Sequence, residues 1–124
     1  MKVYLDNAAS TPVAPEVFDA MAPILKNDFG NPSSTHLFGR SSKAIIEHSR
    51  RKIAKHILCQ PSEIIFTSGG TEADNMAMFT SVTELGVKRI ITSTIEHHAV
   101  GHTACHIQDK YEVELVYVDI DRAG

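Results

Sequence analysis

This sequence lacks several features that would assign a protein quickly to a class. It has no tryptophan and only two cysteines, Cys59 and Cys105, which are too few for a disulfide framework and fit a reducing compartment. No apolar run is long enough to span a bilayer, and the N-terminus has no signal-peptide core. The net charge of −3 offers no positive excess to attract nucleic acid. We therefore expect a cytoplasmic protein, with neither nucleic acid nor membrane as a partner.

What the sequence does contain is the material of an ordinary globular domain. Its 124 residues are 43% hydrophobic and 22% charged, which is the balance of a folded chain. Helical spacing of apolar residues predicts a helix that begins at Pro15 and is bent or shortened by Pro23. The same spacing predicts a longer helix over about 39–58, and residues 3–5 are expected to form a short strand.

From residue 63 onward, the pattern alternates in the order strand, helix, strand, helix, strand. That order predicts a parallel sheet covered by helices, with right-handed crossovers. Because parallel sheets are usually covered on both faces, three such strands make an incomplete layer, and we expect the chain to be a fragment. The predicted segments are strands at 64–66, 89–94 and 113–118, helices at 71–85 and around 100–107, and a turn at 119–124.

The most informative stretch is the passage from strand to helix within residues 63–75. Ser68, Gly69 and Gly70 interrupt the apolar run, and the helical pattern begins at Thr71. Such a turn aims backbone N–H groups and the positive end of the helix dipole at one point, which favours an anion, above all phosphate. The threonine adds a hydroxyl donor. The turn matches neither a P-loop nor a dinucleotide-binding fingerprint.

Two considerations leave this anion site open at the level of the residues alone. A pair of glycines at a helix start can serve the geometry of the turn without binding anything. Glu72 and Asp74 lie in the first helical turn, where they favour the helix dipole but would repel an anion if they pointed inward.

A second cluster follows the strand at 89–94. Ligands of open parallel sheets lie beyond the carboxyl ends of strands, and His97 falls at such an end. A histidine there can stack on an aromatic ligand and transfer protons near neutral pH. The alternative is a loop histidine satisfied by backbone hydrogen bonds.

Three further histidines recur at an interval of four residues and would form one exposed column on a helix. One helix face cannot close a tetrahedral metal site, and no carboxylate partner is evident, so no metal is predicted. The column consists of His98, His102 and His106.

Four segments together form a pattern that covers nearly the whole chain. They are Tyr-Leu-Asp-Asn-Ala-Ala-Ser-Thr at 4–11, Phe-Gly-Asn-Pro-Ser-Ser-Thr-His at 29–36, Phe-Thr-Ser-Gly-Gly-Thr-Glu-Ala-Asp-Asn at 66–75 and Ile-Glu-His-His-Ala-Val at 95–100. In this order and spacing they resemble the N-terminal part of the cysteine desulfurases, pyridoxal-phosphate (PLP) enzymes of the class V aminotransferase group.

The resemblance implies an α/β fold: part of the large domain of a fold type I PLP-transferase, a mainly parallel sheet flanked by helices, in a homodimer. It implies that residues 1–14 form an N-terminal strand and a segment bordering the active site. It also implies that residues 15–124 form the N-terminal part of the PLP-binding domain, without the small C-terminal domain.

The resemblance also assigns site residues. Gly70 and Thr71 would hold the cofactor phosphate, and His97 would stack on the pyridine ring and help to transfer protons. The residues expected to border the substrate are Asn7, Ala8, Asn31 and His36.

The implied activity is conversion of L-cysteine to L-alanine, with the sulfur passed as a persulfide to an acceptor or scaffold protein for iron–sulfur cluster or thio-cofactor assembly. The family's Schiff-base lysine, pyridine-pairing aspartate and nucleophilic cysteine would lie beyond Gly124, so we expect the chain alone to be inactive. Cys59 and Cys105 are predicted on helices and are not assigned as the nucleophile. Alternatives are a selenocysteine lyase, another class V enzyme, or a non-catalytic domain that binds a phosphate-bearing ligand.

Overall fold

The computed structural model describes residues 1–122, which fall into two compact units, Met1–Ile64 and a second that starts at Ile65. Within these residues the chain forms four α-helices, one short 3-10 helix and two strands. No helix in this part of the chain is long and apolar enough to cross a membrane. The predicted turn at 119–124 includes Ala123 and Gly124, which lie outside the described residues.

The first unit contains α1 (Pro15–Asn27), α2 (Leu37–His56) and the 3-10 helix (Pro61–Glu63). Pro15 begins α1 as predicted, at a position where its missing N–H removes no helical bond. Of the two expectations for Pro23, shortening of α1 is wrong, because the helix continues to Asn27, and the bend stays a prediction. A proline removes a single helical donor, and the turns on either side keep theirs.

The start of α2 packs closely against the loop before it. His36 is its N-cap, and its Nδ1 accepts the N–H of Gly39 at 3.4 Å. A Cβ on Gly39 would come within 2.6 Å of the Asn31 carbonyl oxygen and would also collide with the Ser34 carbonyl oxygen. The glycine is therefore required by the close approach of two backbone segments.

We expect Gly39→Ala to lower the free energy of unfolding by about 1–3 kcal/mol, the usual cost of overpacking a tight contact. Gly101→Ala is the matched control, since a Cβ there meets nothing within 4 Å. Alanine in the interior of a helix is better than glycine by roughly 0.5–1 kcal/mol, so this variant should gain stability. Urea unfolding of both variants measures the difference, and equal effects would contradict the packing argument.

The second unit contains α3 (Gly70–Thr83), β1 (Arg89–Ser93), α4 (His98–Lys110) and β2 (Glu114–Val118). The two strands pair in parallel, with Ile91 opposite Val116, which confirms the predicted parallel α/β arrangement. Helix α4 packs against both strands and against α3. Its buried side, with Ile107 fully buried, forms the centre of this small core.

Two predicted strands, at residues 3–5 and 64–66, do not form within the described chain. Ile64 has the extended dihedral angles of a strand, φ −90° and ψ 121°. However, its carbonyl oxygen accepts a hydrogen bond from the Arg50 guanidinium and has no strand partner. The side chains at 3–5 are exposed and are likewise without a ladder. The apolar pattern therefore agrees with the extended backbone of Ile64 but could not specify a neighbouring strand.

Strand β1 carries a buried hydroxyl that is not satisfied. Thr92 is 7% exposed, and its Oγ1 has no hydrogen-bond partner among the described residues. Thr103 on α4 is similarly buried, at 8% exposed, but its Oγ1 donates to Asn75 Oδ1 of α3. The two threonines thus differ in hydrogen bonding while sharing the same degree of burial.

We expect Thr92→Val to raise the free energy of unfolding by about 1–3 kcal/mol, because valine keeps the shape and removes a desolvated hydroxyl. Thr103→Val should lower it by about 1–3 kcal/mol, because Asn75 Oδ1 loses its donor. Chemical denaturation of the two variants tests the pair. A loss of stability in Thr92→Val would show that its hydroxyl is satisfied.

Candidate cofactor-binding site

The glycine turn lies between the segment 64–67, which is neither helix nor strand, and helix α3. Gly69 is the N-cap residue and Gly70 is the first residue of the helix. The Gly69 carbonyl accepts the N–H of Ala73 at 3.1 Å, so the three helical N–H groups before Ala73 have no acceptor inside the helix. A Cβ on either glycine would meet no atom within 4 Å. The turn therefore presents backbone donors and the positive end of the α3 dipole to open space.

Glu72 lies in the first turn of α3, and its carboxylate is bound to the residue before the glycines. Its Oε2 accepts the Ser68 N–H at 2.6 Å and the Ser68 hydroxyl at 2.7 Å. The hydrogen bond from the Ser68 hydroxyl has the larger effect and the bond from the Ser68 N–H the smaller, and both lower the pKa of Glu72 below its usual value. The carboxylate is therefore ionised at neutral pH. The sequence left the direction of this side chain open, and the structure directs it back to Ser68.

Thr71, the residue after the glycines, is exposed, and its hydroxyl makes no hydrogen bond within residues 1–122. The hydroxyl is thus available to a ligand beside the backbone donors. Thr71 also lines a groove of ≈ 610 Å³ that runs along α3. The other lining residues are Ser68, Glu72, Asn75, Met76, Phe79, Thr80, Thr83 and Glu84.

His97 is the N-cap residue of α4 and is exposed. Its Nδ1 accepts the Ala99 N–H at 3.1 Å. In the neutral ring the proton then belongs to Nε2, because one imidazole nitrogen accepts while the other donates. The backbone bond therefore fixes the tautomer and leaves the second nitrogen for a ligand. This geometry is compatible with both interpretations of His97, as a residue that binds a ligand and as a histidine satisfied by the backbone. One ring nitrogen bonds to the backbone and the other does not.

Helices α3 and α4 run in the same direction. Asn75 of α3 meets Thr103 of α4, and one turn further along both helices Phe79 packs edge-on against His106, with ring centroids 6.0 Å apart. Contacts that advance together along two helices require a parallel arrangement. Asn75 and Thr103 each lie five residues past the first residue of their helix (70 to 75 and 98 to 103).

The parallel arrangement brings the N-termini of α3 and α4 to the same level. Gly70, the first residue of α3, and His97, the N-cap residue of α4, are therefore at one end of the unit. Helix α4 connects the carboxyl end of β1 to the start of β2, so this end is the carboxyl edge of the sheet. The sequence predicted that the glycine turn and His97 lie at such an edge, which is where ligands bind in open parallel sheets.

The other histidines of α4 form the predicted exposed column. The rings of His98 and His102 lie 5.2 Å apart, while His106 packs against Phe79. Among the residues that the structure describes, no three His, Cys, Asp or Glu side chains are grouped to hold a metal ion.

The two cysteines occupy different settings. Cys105 lies on α4 as predicted, and its Sγ is 3.5 Å from the Tyr117 hydroxyl. That hydrogen bond raises the pKa of Tyr117. Cys59 was predicted on a helix, but α2 ends at His56 and Leu58 has a positive φ of 57°, which is incompatible with a continuing helix.

The four residues expected to border the substrate all lie in the first unit, where they have local partners. Asn7 and Ala8 form a turn in which the Asp6 carbonyl accepts the Ala9 N–H at 3.1 Å. Asn31 Oδ1 accepts the Ser33 N–H at 2.9 Å, and His36 caps α2. These bonds shape the two loops, and the substrate role of the four residues stays a prediction.

Two residues of the site were missed by sequence reasoning. Ser68 was interpreted only as a breaker of the strand, although it binds Glu72 twice. A hydroxyl residue shortly before an acid in a first helical turn is a known signal for such a bond. Asn75 received no role, and its link to Thr103 has no signal in the sequence because the two residues are far apart in the chain.

Comparison with known proteins gives this geometry a family. The model of the family described as "Aminotransferase class-V" matches residues 3–124. The cysteine desulfurase IscS of Dictyoglomus turgidum is 52% identical over 99% of this chain and 32% of its own length. The selenocysteine lyase of Xenopus tropicalis is 38% identical over 96% of this chain and 31% of its own length. The chain thus spans about a third of the length of these relatives.

A solved structure agrees with the sequence comparisons. The structure of a NifS-like protein superposes with a TM-score of 0.87 at 37% identity, covering 98% of this chain and 34% of that one. The predicted fold class, part of the mainly parallel α/β domain of a PLP-transferase, is confirmed by this match. The extent of the family match and the agreement in fold lead to one conclusion: the chain belongs to the class-V aminotransferase family.

Proposed function

We propose that this chain supplies the phosphate-binding and ring-binding residues of a PLP-dependent cysteine desulfurase. The protein that carries it would convert L-cysteine to L-alanine and pass the sulfur as a persulfide to an acceptor or scaffold protein, for iron–sulfur cluster or thio-cofactor assembly. One observation carries the proposal: in a member of the class-V family, the donor-rich start of α3 and His97 lie at the same end of two parallel helices.

The chemistry of the donor set fits the phosphate of PLP. A phosphate group takes several hydrogen bonds from N–H and hydroxyl donors at a helix N-terminus. Here the unpaired N–H groups of Gly70 and Thr71, together with the Thr71 hydroxyl, supply such donors. The nearest acid, Glu72, is engaged by Ser68. In this proposal the first turn of α3 holds the phosphate and so fixes the position of the whole cofactor.

His97 would stack on the pyridine ring of the cofactor and transfer protons. When bound, PLP supplies an electron sink for the substrate carbon next to the amine. The imidazole offers a flat aromatic surface for stacking. Its Nδ1 is held by the Ala99 N–H, so Nε2 is the atom that holds or moves a proton. The N-cap bond would keep the ring oriented during that transfer.

The remaining assignments rest on the resemblance to the family. Asn7, Ala8, Asn31 and His36 would border the substrate, and the whole protein would be a cytoplasmic homodimer. Local hydrogen bonds already order both of the loops that carry these residues. An ordered loop positions side chains for a ligand at a lower entropic cost than a disordered one.

The test is product formation from L-cysteine. The protein that carries this chain is loaded with PLP and incubated with L-cysteine, and both L-alanine and released sulfide are measured. The apoprotein is one negative control. The 124-residue chain alone is the other, because none of its seven lysines stands in the family's serine–histidine–lysine setting. The substrate assignment fails if the loaded protein produces neither alanine nor sulfide.

A selenocysteine lyase is the second candidate, because one relative of this kind is 38% identical. Turnover of L-cysteine and L-selenocysteine is compared in the same preparation. Activity on selenocysteine alone would favour the lyase. A non-catalytic domain that binds a phosphate-bearing ligand would instead bind PLP saturably while the PLP-loaded protein acts on neither amino acid.

A further inference from the structure

The two glycines of the turn have no side chains that could pack against neighbouring residues. Gly69 and Gly70 lack side chains, and the space where a Cβ would lie is empty to 4 Å. Two adjacent glycines have the largest conformational freedom to lose when they are fixed in one shape. Something local must therefore hold this segment if its N–H groups are to converge on a ligand.

The structure provides such a restraint on each side of the glycines. The Thr67 hydroxyl donates to the Gly69 carbonyl oxygen at 3.1 Å. Glu72 Oε2 spans the two glycines and accepts both hydrogen bonds from Ser68, at 2.6 Å and 2.7 Å. Hydrogen bonds to an ionised acceptor are stronger than those between neutral groups. The Glu72 carboxylate therefore accepts the strongest hydrogen bonds across the turn.

The same carboxylate carries a negative charge near the proposed phosphate site, so two effects oppose each other. Repulsion of the anion is weakened because Glu72 is exposed and screened by water and salt. The entropy of fixing the glycine backbone is not screened by solvent. The ordering effect should therefore exceed the repulsion.

We propose that Glu72 is a positioning residue for the phosphate-binding turn. By binding the Ser68 N–H and hydroxyl, it holds Gly69 and Gly70 in the anion-binding conformation before the cofactor arrives. This inference rests on the proposed function, because it takes the phosphate of PLP as the ligand. It explains why an acid in the first turn of α3 is compatible with an anion site at the same helix end.

The first experiment measures the affinity of the 124-residue chain for PLP by following the absorbance of PLP as the chain is added. Glu72→Ala should bind PLP about tenfold more weakly, the equivalent of ordering about one backbone residue. Glu72→Gln keeps a neutral acceptor for Ser68 and should recover part of the affinity, which a general structural role of the side chain would not explain.

Asp74→Asn is the matched control, since it removes one negative charge from the same region of α3 without any hydrogen bond to Ser68. Under the proposal it binds PLP as well as the wild type or slightly better. Tighter binding by both Glu72→Gln and Asp74→Asn would mean that repulsion dominates. Unchanged affinity in both Glu72 variants would also overturn the proposal.

A second experiment needs no cofactor and separates this inference from the proposed function. Hydrogen exchange of the Ser68 amide should be about tenfold faster in Glu72→Ala, because its only described acceptor is lost. Unchanged exchange would refute the positioning role. If hydrogen exchange of the Ser68 amide accelerates as expected but the chain does not bind PLP, the positioning role stands and the cofactor assignment is refuted.

Discussion

Replacing His97 with asparagine lowers the release of alanine from L-cysteine by about 10²–10⁴-fold, the usual contribution of a side chain that transfers a proton. Asparagine can still accept the Ala99 N–H as an N-cap, so α4 keeps its start. It has neither a second titratable nitrogen nor an aromatic ring for stacking. The measurement is kcat of the protein that carries this chain, at saturating PLP and L-cysteine.

His98→Asn is the control for this experiment. His98 is the next residue along the chain, is also exposed, and lies in the first turn of α4 without a capping bond. Its substitution should leave kcat unchanged. His97→Ala should in addition lower stability by about 1 kcal/mol, because alanine cannot cap the helix. The assignment of His97 is wrong if His97→Asn keeps full turnover or if His98→Asn loses as much.

Replacing Thr71 with valine weakens PLP binding by about 10–100-fold. A hydrogen bond to a charged group contributes about 1.5–3 kcal/mol, and each 1.4 kcal/mol corresponds to about a tenfold change in affinity. Valine keeps the shape of threonine and removes only the hydroxyl, which has no partner among the described residues. Titration with PLP, followed by competition with inorganic phosphate, measures the loss and locates it at the phosphate.

Thr80→Val serves as the matched control for the phosphate contact. Thr80 is exposed, lies on the same helix and lines the same groove, but it is more than two turns away from the glycines. Its substitution should not change the affinity for PLP. Equal weakening in both variants would point to a general effect on α3, and wild-type affinity in Thr71→Val would exclude the hydroxyl as a phosphate ligand.

The helices and strands of the second unit were predictable because their signals are local. Apolar spacing located α3 and α4. Gly86, shortly after the end of α3, has a positive φ of 69°, a conformation that favours glycine after a helix. The strands at 64–66 and 3–5 were predicted wrongly for the opposite reason. Extended conformation depends on nearby residues, but a strand also needs a hydrogen-bonded neighbour, and the sequence pattern does not identify one.

The candidate site likewise combines features that local sequence predicts with a contact that it does not. The glycine turn and the capping position of His97 follow from short stretches of sequence. The tie from Glu72 to Ser68 spans only four residues and was within reach of a capping argument. The link between Asn75 and Thr103 was not, because it joins two helices through a contact that no periodicity marks.

By itself, the sequence determined the class of protein, the expected family and the position of the glycine turn at the start of a helix. Only the tertiary structure decided that this turn and His97 share one end of two parallel helices, and that the acid of the turn faces Ser68. The physical reason is the range of the interactions. Backbone conformation and capping are set within a few residues, whereas the relative direction and level of two helices depend on side chains that meet only after folding.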